Sequence, residues 1–80
     1  MSLAKIYVTF KKGILDPQGV TVKKALDSLG YKGIEDVRVG KYMEIRMDGL
    51  NKDIIQQMCE RLLANPVIED YRFEIEEGKN

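Results

Sequence analysis

Between residues 34 and 48 the apolar side chains Val37, Val39, Met43, Ile45 and Met47 all stand at odd positions. Successive side chains of a strand point to opposite faces, so this spacing puts all five on one face of extended chain. Two readings keep that parity: one long strand bent at Gly40, or two strands joined by a three-residue loop of Gly40, Lys41 and Tyr42. A two-residue turn at Gly40-Lys41 does not, because it would oppose Val39 to Tyr42 and send Met43 and Ile45 to the other face. The common three-residue loop wants its glycine last rather than first, which favours the long strand. At ~3.3 Å per residue that strand spans roughly 45 Å, against ~21 Å for a 14-residue helix, so one end overhangs its own helix and needs a partner.

The flanking segments follow the same logic. Ala4, Ile6, Val8 and Phe10 alternate with Lys5, Tyr7, Thr9 and Lys11, which predicts a half-buried first strand. Lys12-Gly13 ends it. Asp16-Pro17 starts a helix, since an aspartate can accept from free amides and proline is tolerated at the first helical position. Val22, Ala25, Leu26 and Leu29 form one helical stripe closed by Gly30. Asp48-Gly49 turns the chain, and Asn51 caps a second helix running to Ala64 with a wider stripe of Ile54, Ile55, Met58, Cys59, Leu62 and Leu63. Asn65-Pro66 stops it. Tyr71, Phe73 and Ile75 then alternate with Arg72 and Glu74 as a last strand before a polar tail over residues 76–80.

The expected class is therefore α+β, in the order strand, helix, long strand, helix, strand, with a ferredoxin-like sheet and both helices on one face. Right-handed crossovers would make each strand pair parallel. If the long strand is continuous, its ends belong to two sheets. The first half of one chain and the second half of another would then complete a four-stranded, two-helix unit by exchange in a dimer.

Composition sharpens this expectation. Eighty residues, 44% of them hydrophobic and 32% charged, describe a single globular domain over 1–80. Domains this small usually need a disulfide, a metal or association. One cysteine and no histidine leave no internal disulfide and no zinc site in view, so association remains. Thirteen basic and thirteen acidic residues cancel, giving no field to draw the chain to nucleic acid or a membrane. No apolar run approaches the ~18 residues of a membrane span, and a cytoplasmic location is expected.

Catalytic parts are scarce. Without histidine there is no imidazole base and no Cys-His or Ser-His pair. Cys59 lies on the apolar side of the second helix, where it reads as a small hydrophobe rather than a nucleophile. The acidic pairs Glu35-Asp36, Glu69-Asp70 and Glu76-Glu77 read as solvated charge. No catalytic, cofactor-binding or metal-ligating residue is assigned. What stands out is the sheet face turned away from the helices, where Tyr7, Thr9, Arg38, Tyr42, Glu44, Arg46 and Arg72 mix aromatics with charges. Tyr and Arg are enriched at protein interfaces. An RNA-binding sheet and a small regulatory ligand-binding module of related topology are the alternatives, the former weakened by the missing aromatic-basic motif and the neutral charge balance.

Particular strings carry a further signal: Ile14-Leu15-Asp16-Pro17-Gln18-Gly19, Ala25-Leu26 with Leu29-Gly30, Asp36-Val37-Arg38-Val39-Gly40-Lys41, and Cys59-Glu60-Arg61-Leu62-Leu63-Ala64-Asn65-Pro66-Val67-Ile68-Glu69-Asp70-Tyr71. Over essentially the whole chain these resemble the PurS family, small subunits of phosphoribosylformylglycinamidine synthase. The resemblance implies a non-catalytic role in the fourth step of de novo purine synthesis, in which formylglycinamide ribonucleotide becomes its amidine. It implies a homodimer or higher oligomer bridging a large synthetase subunit, which uses ATP and Mg, and a glutaminase subunit that releases ammonia. The expected contact surface is the outer sheet face and its edges, with Tyr7, Arg38, Lys41, Tyr42 and Arg72 as candidates and Gly40 serving the strand bend.

Overall fold

The computed structural model describes residues 1–77. The polar tail expected over residues 76–80 lies outside the described residues from position 78 on. The elements are β1 (Ser2–Phe10), α1 (Pro17–Ser28), β2 (Lys41–Met47), α2 (Lys52–Met58) running into a π-helical turn (Cys59–Leu63), and β3 (Glu69–Glu76). The class and the element order are those the hydrophobic periodicity predicts.

Strand directions are not. The sheet order is β2-β1-β3, with β1 antiparallel to both neighbours: Ile6 faces Met43 on one side and Phe73 on the other. The expectation of parallel pairs fails because β1 sits between the two strands that α2 connects. β2 and β3 do run in the same direction, but they are separated by β1 rather than hydrogen-bonded. It also follows that β1 stays with the second half of its own chain. The expected exchange of whole halves would separate β1 from the β2 and β3 it pairs with here.

The predicted core face is where parity puts it. Ala4, Ile6 and Val8 are buried, and Met43, Ile45, Tyr71, Phe73 and Ile75 pack around them under Ile55, Cys59 and Ala64. Asn51 caps α2 by accepting from the Ile54 amide at 3.0 Å. The π turn inserts its extra residue where the apolar stripe is widest, and leaves Leu62 82% exposed. Burial pushes the Cys59 thiol above its ordinary range, as a small core hydrophobe requires.

The first helix behaves differently. Its ends are those expected, with Asp16 as cap, Pro17 in the first turn and Gly30 in the left-handed conformation just past the end. Yet Gly19 is its only buried residue, and no residue of α1 joins the core cluster. The stripe predicted to face a core is largely exposed, Leu29 at 74%. Accordingly the chain is elongated, 48 × 30 × 14 Å with a radius of gyration of 16.1 Å. A compact domain of this length would have about 12 Å.

Residues 34–40 also part from the simplest expectation. Pairing with β1 covers only Lys41–Met47, so the long strand is shorter as a hydrogen-bonded element than the 34–48 predicted. No turn or sharp bend interrupts residues 31–40, however, and the chain enters β2 directly, which removes the hairpin reading. No sharp bend falls at Gly40. A Cβ there would stand 2.3 Å from the Val8 carbonyl oxygen and 2.8 Å from Thr9 Cγ2, so glycine is needed for close approach to β1.

Candidate functional site

Three features of the surface are built by local sequence. The first is a joint where α1 meets the chain entering β2. The Asp16 side chain, 6% exposed, accepts from the Gly19 amide at 2.8 Å through Oδ1 and from the Val39 amide at 2.7 Å through Oδ2. One carboxylate therefore caps a helix and fixes an extended segment remote in sequence. Arg38 closes the joint: its Nη2 donates to the Phe10 carbonyl at 2.5 Å and the Lys11 carbonyl at 3.3 Å, while its Nε lies 3.9 Å from Asp16 Oδ2. Gly19 lets the parts meet, because a Cβ at that position would fall 2.1 Å from the Val37 carbonyl oxygen.

The Val39 and Gly19 amides, helped by Arg38, hold the Asp16 carboxyl below its ordinary value of 3.8. The unfolded chain therefore takes up this proton at a higher pH than the folded one. Stability from the joint is full above the ordinary carboxylate range, and it is lost as pH falls through 3.8 and on through the lower folded-state value. Denaturant midpoints measured from pH 6 down to pH 2 should fall less steeply for Asp16→Asn than for the unaltered chain. Equal slopes would remove Asp16 from the acid response.

The second feature is a row across the outer face of the sheet. Tyr7 faces Tyr42 on β2 and Arg72 on β3. The two rings lie 5.0 Å apart at 44°, and the Arg72 guanidinium carbon sits 3.9 Å over the Tyr7 ring, a cation–π contact. Tyr42 donates to Glu44 Oε2 at 2.7 Å, which pushes its hydroxyl up to about 12 and keeps it a donor at neutral pH. Arg72 also pairs with Glu74 at 3.1 Å, and Lys5 with Glu76 at 2.6 Å. The row is amphipathic and open, Tyr42 being 49% exposed.

The third is an apolar groove of about 530 Å³ between β2 and the side of α2, with Ile45, Ile54, Met58, Leu62 and Leu63 among its lining residues. Among the described residues β2 pairs with β1 alone, so its other edge is unpaired beside this groove.

Of the residues singled out from sequence, Tyr7, Tyr42 and Arg72 come together in the outer row. Arg38 does not: its guanidinium is spent on the joint. Lys41 is placed by the register opposite Val8, on the inner parity, with its Nζ 3.7 Å from Glu69. Sequence reasoning passed over Gly19 and the second role of Asp16. The signal for Gly19 was its type, since glycine in a first helical turn is a poor helix former unless something must come close.

A three-stranded antiparallel sheet with one helix on it, a second helix held off it, and open aromatic and apolar surfaces defines a small α+β module. The chain belongs to the PurS family: the family model described as phosphoribosylformylglycinamidine (FGAM) synthase matches residues 3–77. It is 50% identical over 80 residues to the phosphoribosylformylglycinamidine synthase subunit PurS of Bacillus subtilis, covering 96% of this chain and 95% of that protein. A crystal structure of B. subtilis PurS superposes with a TM-score of 0.87 at 49% identity, over 96% of this chain and 100% of that one. A chain in the structure of PurLQS from Thermotoga maritima matches at a TM-score of 0.78 and 27% identity, over 95% and 99%.

Proposed function

We propose that this chain is the small, non-catalytic subunit of a phosphoribosylformylglycinamidine synthase. It works as a pair, and it bridges a synthetase subunit that uses ATP and Mg to a glutaminase subunit that supplies ammonia, in the cytoplasm. The observation that carries this reading is the near-full-length match to curated subunits of that enzyme, half of its positions identical in the B. subtilis case. The relative found within PurLQS supports the bridging role.

The pairing is supported by the chain's own geometry. Among the described residues, the seven of 34–40 run without a strand partner straight into the seven of β2, whose outer edge is free. A twofold axis near Gly40 lays residues 34–40 of each copy along the β2 edge of the other, completing a fourth strand in both sheets. The α1 of each copy then reaches the groove of its partner. Pairing leaves the Tyr7-Tyr42-Arg72 row on the outer face as the surface for the larger subunits.

The physical task of such a subunit is positional. Ammonia set free in water is protonated and ceases to be a nucleophile, so two active sites held in register gain by effective concentration what diffusion would lose. The test is reconstitution. The two larger subunits with this chain should form amidine from glutamine, and without it the glutamine-dependent rate should drop to a small residue. A full rate from the larger subunits alone would end the bridging reading. Tyr7→Ala combined with Arg72→Ala should weaken co-purification with those subunits at least tenfold while leaving the chain's own oligomer intact; unchanged co-purification would move the contact surface elsewhere.

A further inference from the structure

The chain could in principle bury α1 in its own groove, by turning back at Gly40 and laying residues 34–40 against its own β2. The parity of the sequence allows that closure through a three-residue loop. What opposes it is the joint. Continuing the β1–β2 register past Val8 and Lys41 brings Arg38 alongside Lys11, and Arg38 donates to the carbonyls of Phe10 and Lys11 there. Residues 38–40 are thereby held in line with β2 along β1. Asp16 then ties the first turn of α1 to Val39, and the Gly19–Val37 approach sets the helix against the same segment.

We propose that the Asp16–Arg38 joint is the device that selects exchange between copies over closure within one chain: by keeping residues 37–39 in line with β2 it holds α1 off its own groove and presents it to the groove of a second copy. The inference rests on the paired reading above. The groove's occupant is α1 of that copy, with Val22, Leu26 and Leu29 against Ile54, Met58 and Leu62. Two observations support that occupant. Both surfaces carry apolar side chains that are at least partly open in a single chain, and α1 matches in length, at twelve residues, α2 with its π turn, the wall it would lie along. The joint residues Asp16 and Arg38 are not among those lining the groove, and they make no hydrogen bond to the outer row.

Two variants separate the joint from the stability of the helix. Asp16→Ser retains a side chain that can cap α1 but is too short to reach Val39 as well. Arg38→Ala removes the donors to Phe10 and Lys11 while leaving the hydrogen bond by which Asp16 caps α1 in place. Sedimentation and small-angle scattering over nanomolar to micromolar concentration should show the dimer dissociation constant rising at least tenfold in each. The released monomers should be compact, with a radius of gyration near ~12 Å rather than the 16.1 Å of the open chain. Three outcomes overturn the inference: a dissociation constant equal to that of the unaltered protein, monomers that stay elongated, or loss of helical signal in both variants, which would make the joint a requirement for folding rather than for choosing a partner. The unaltered chain run beside them keeps the two readings apart. If it is a monomer the exchange itself fails, whereas an unaltered dimer with indifferent variants removes only the joint.

Discussion

Gly19→Ala is expected to destabilise the protein by at least about 2 kcal/mol, although the same change at an exposed helical site typically stabilises by up to ~1 kcal/mol. The reversal comes from one distance. A Cβ at Gly19 would lie 2.1 Å from the Val37 carbonyl oxygen, and it would also press on the Asp16 carboxylate at 2.9 Å. Neither neighbour can yield cheaply: the carbonyl belongs to the backbone, and the carboxylate is held by two amides. Thermal unfolding of the variant should begin on the order of 10 °C lower. Alanine placed instead at the exposed Ser28, in the last turn of α1, should be close to neutral. If Gly19→Ala raised the midpoint, helix propensity would outweigh the joint and the contact would carry no structural meaning.

Gly40→Val should have an effect as large, but on assembly more than on helix content. Its Cβ would meet the Val8 carbonyl oxygen at 2.3 Å and Thr9 Cγ2 at 2.8 Å, so the chain must lift from β1 at the point where residues 34–40 leave the sheet. Lifting them there changes the path by which they reach a second copy, while α2 and its core contacts with β1 lie elsewhere. Circular dichroism should show the helices kept and sedimentation a weaker oligomer. Unchanged oligomer stability would mean that this close approach does not set the path of the long strand.

The two glycines also show what the sequence could and could not convey. Periodicity located every strand and both helices, because a strand that buries one face leaves an alternating trace and an amphipathic helix a three-to-four spacing. Parity at Val37, Val39, Met43, Ile45 and Met47 argued for continuity through Gly40, and the uninterrupted backbone there agrees. Strand direction was another matter. The spacing of apolar residues within a strand is the same whichever neighbour it meets, so the antiparallel order β2-β1-β3 left no mark that alternation alone could reveal. The assumption of parallel crossovers gave the wrong direction for β1 and β2, which run antiparallel.

The candidate surface was legible in part for a similar reason. Tyr7, Tyr42 and Arg72 share a parity, and the register brings them into one row. Arg38 belongs to the segment outside the paired sheet, where parity no longer decides which way a side chain turns, and its guanidinium went to main-chain carbonyls. Likewise Asp16 was recognisable as a helix cap from Asp-Pro, but its second acceptor bond to Val39 spans 23 residues and depends on the tertiary path.

These threads meet in one property of the single chain. Among the described residues, α1 adds no residue to the core, residues 34–40 have no strand partner, and the groove beside β2 lies open. All three are explained together if the folded unit is two chains. Sedimentation equilibrium on the purified chain alone, at micromolar concentration and neutral pH, addresses this directly. The account predicts a mass of at least twice the 9.2 kDa of one chain. A single species at 9.2 kDa with native helical content would contradict it.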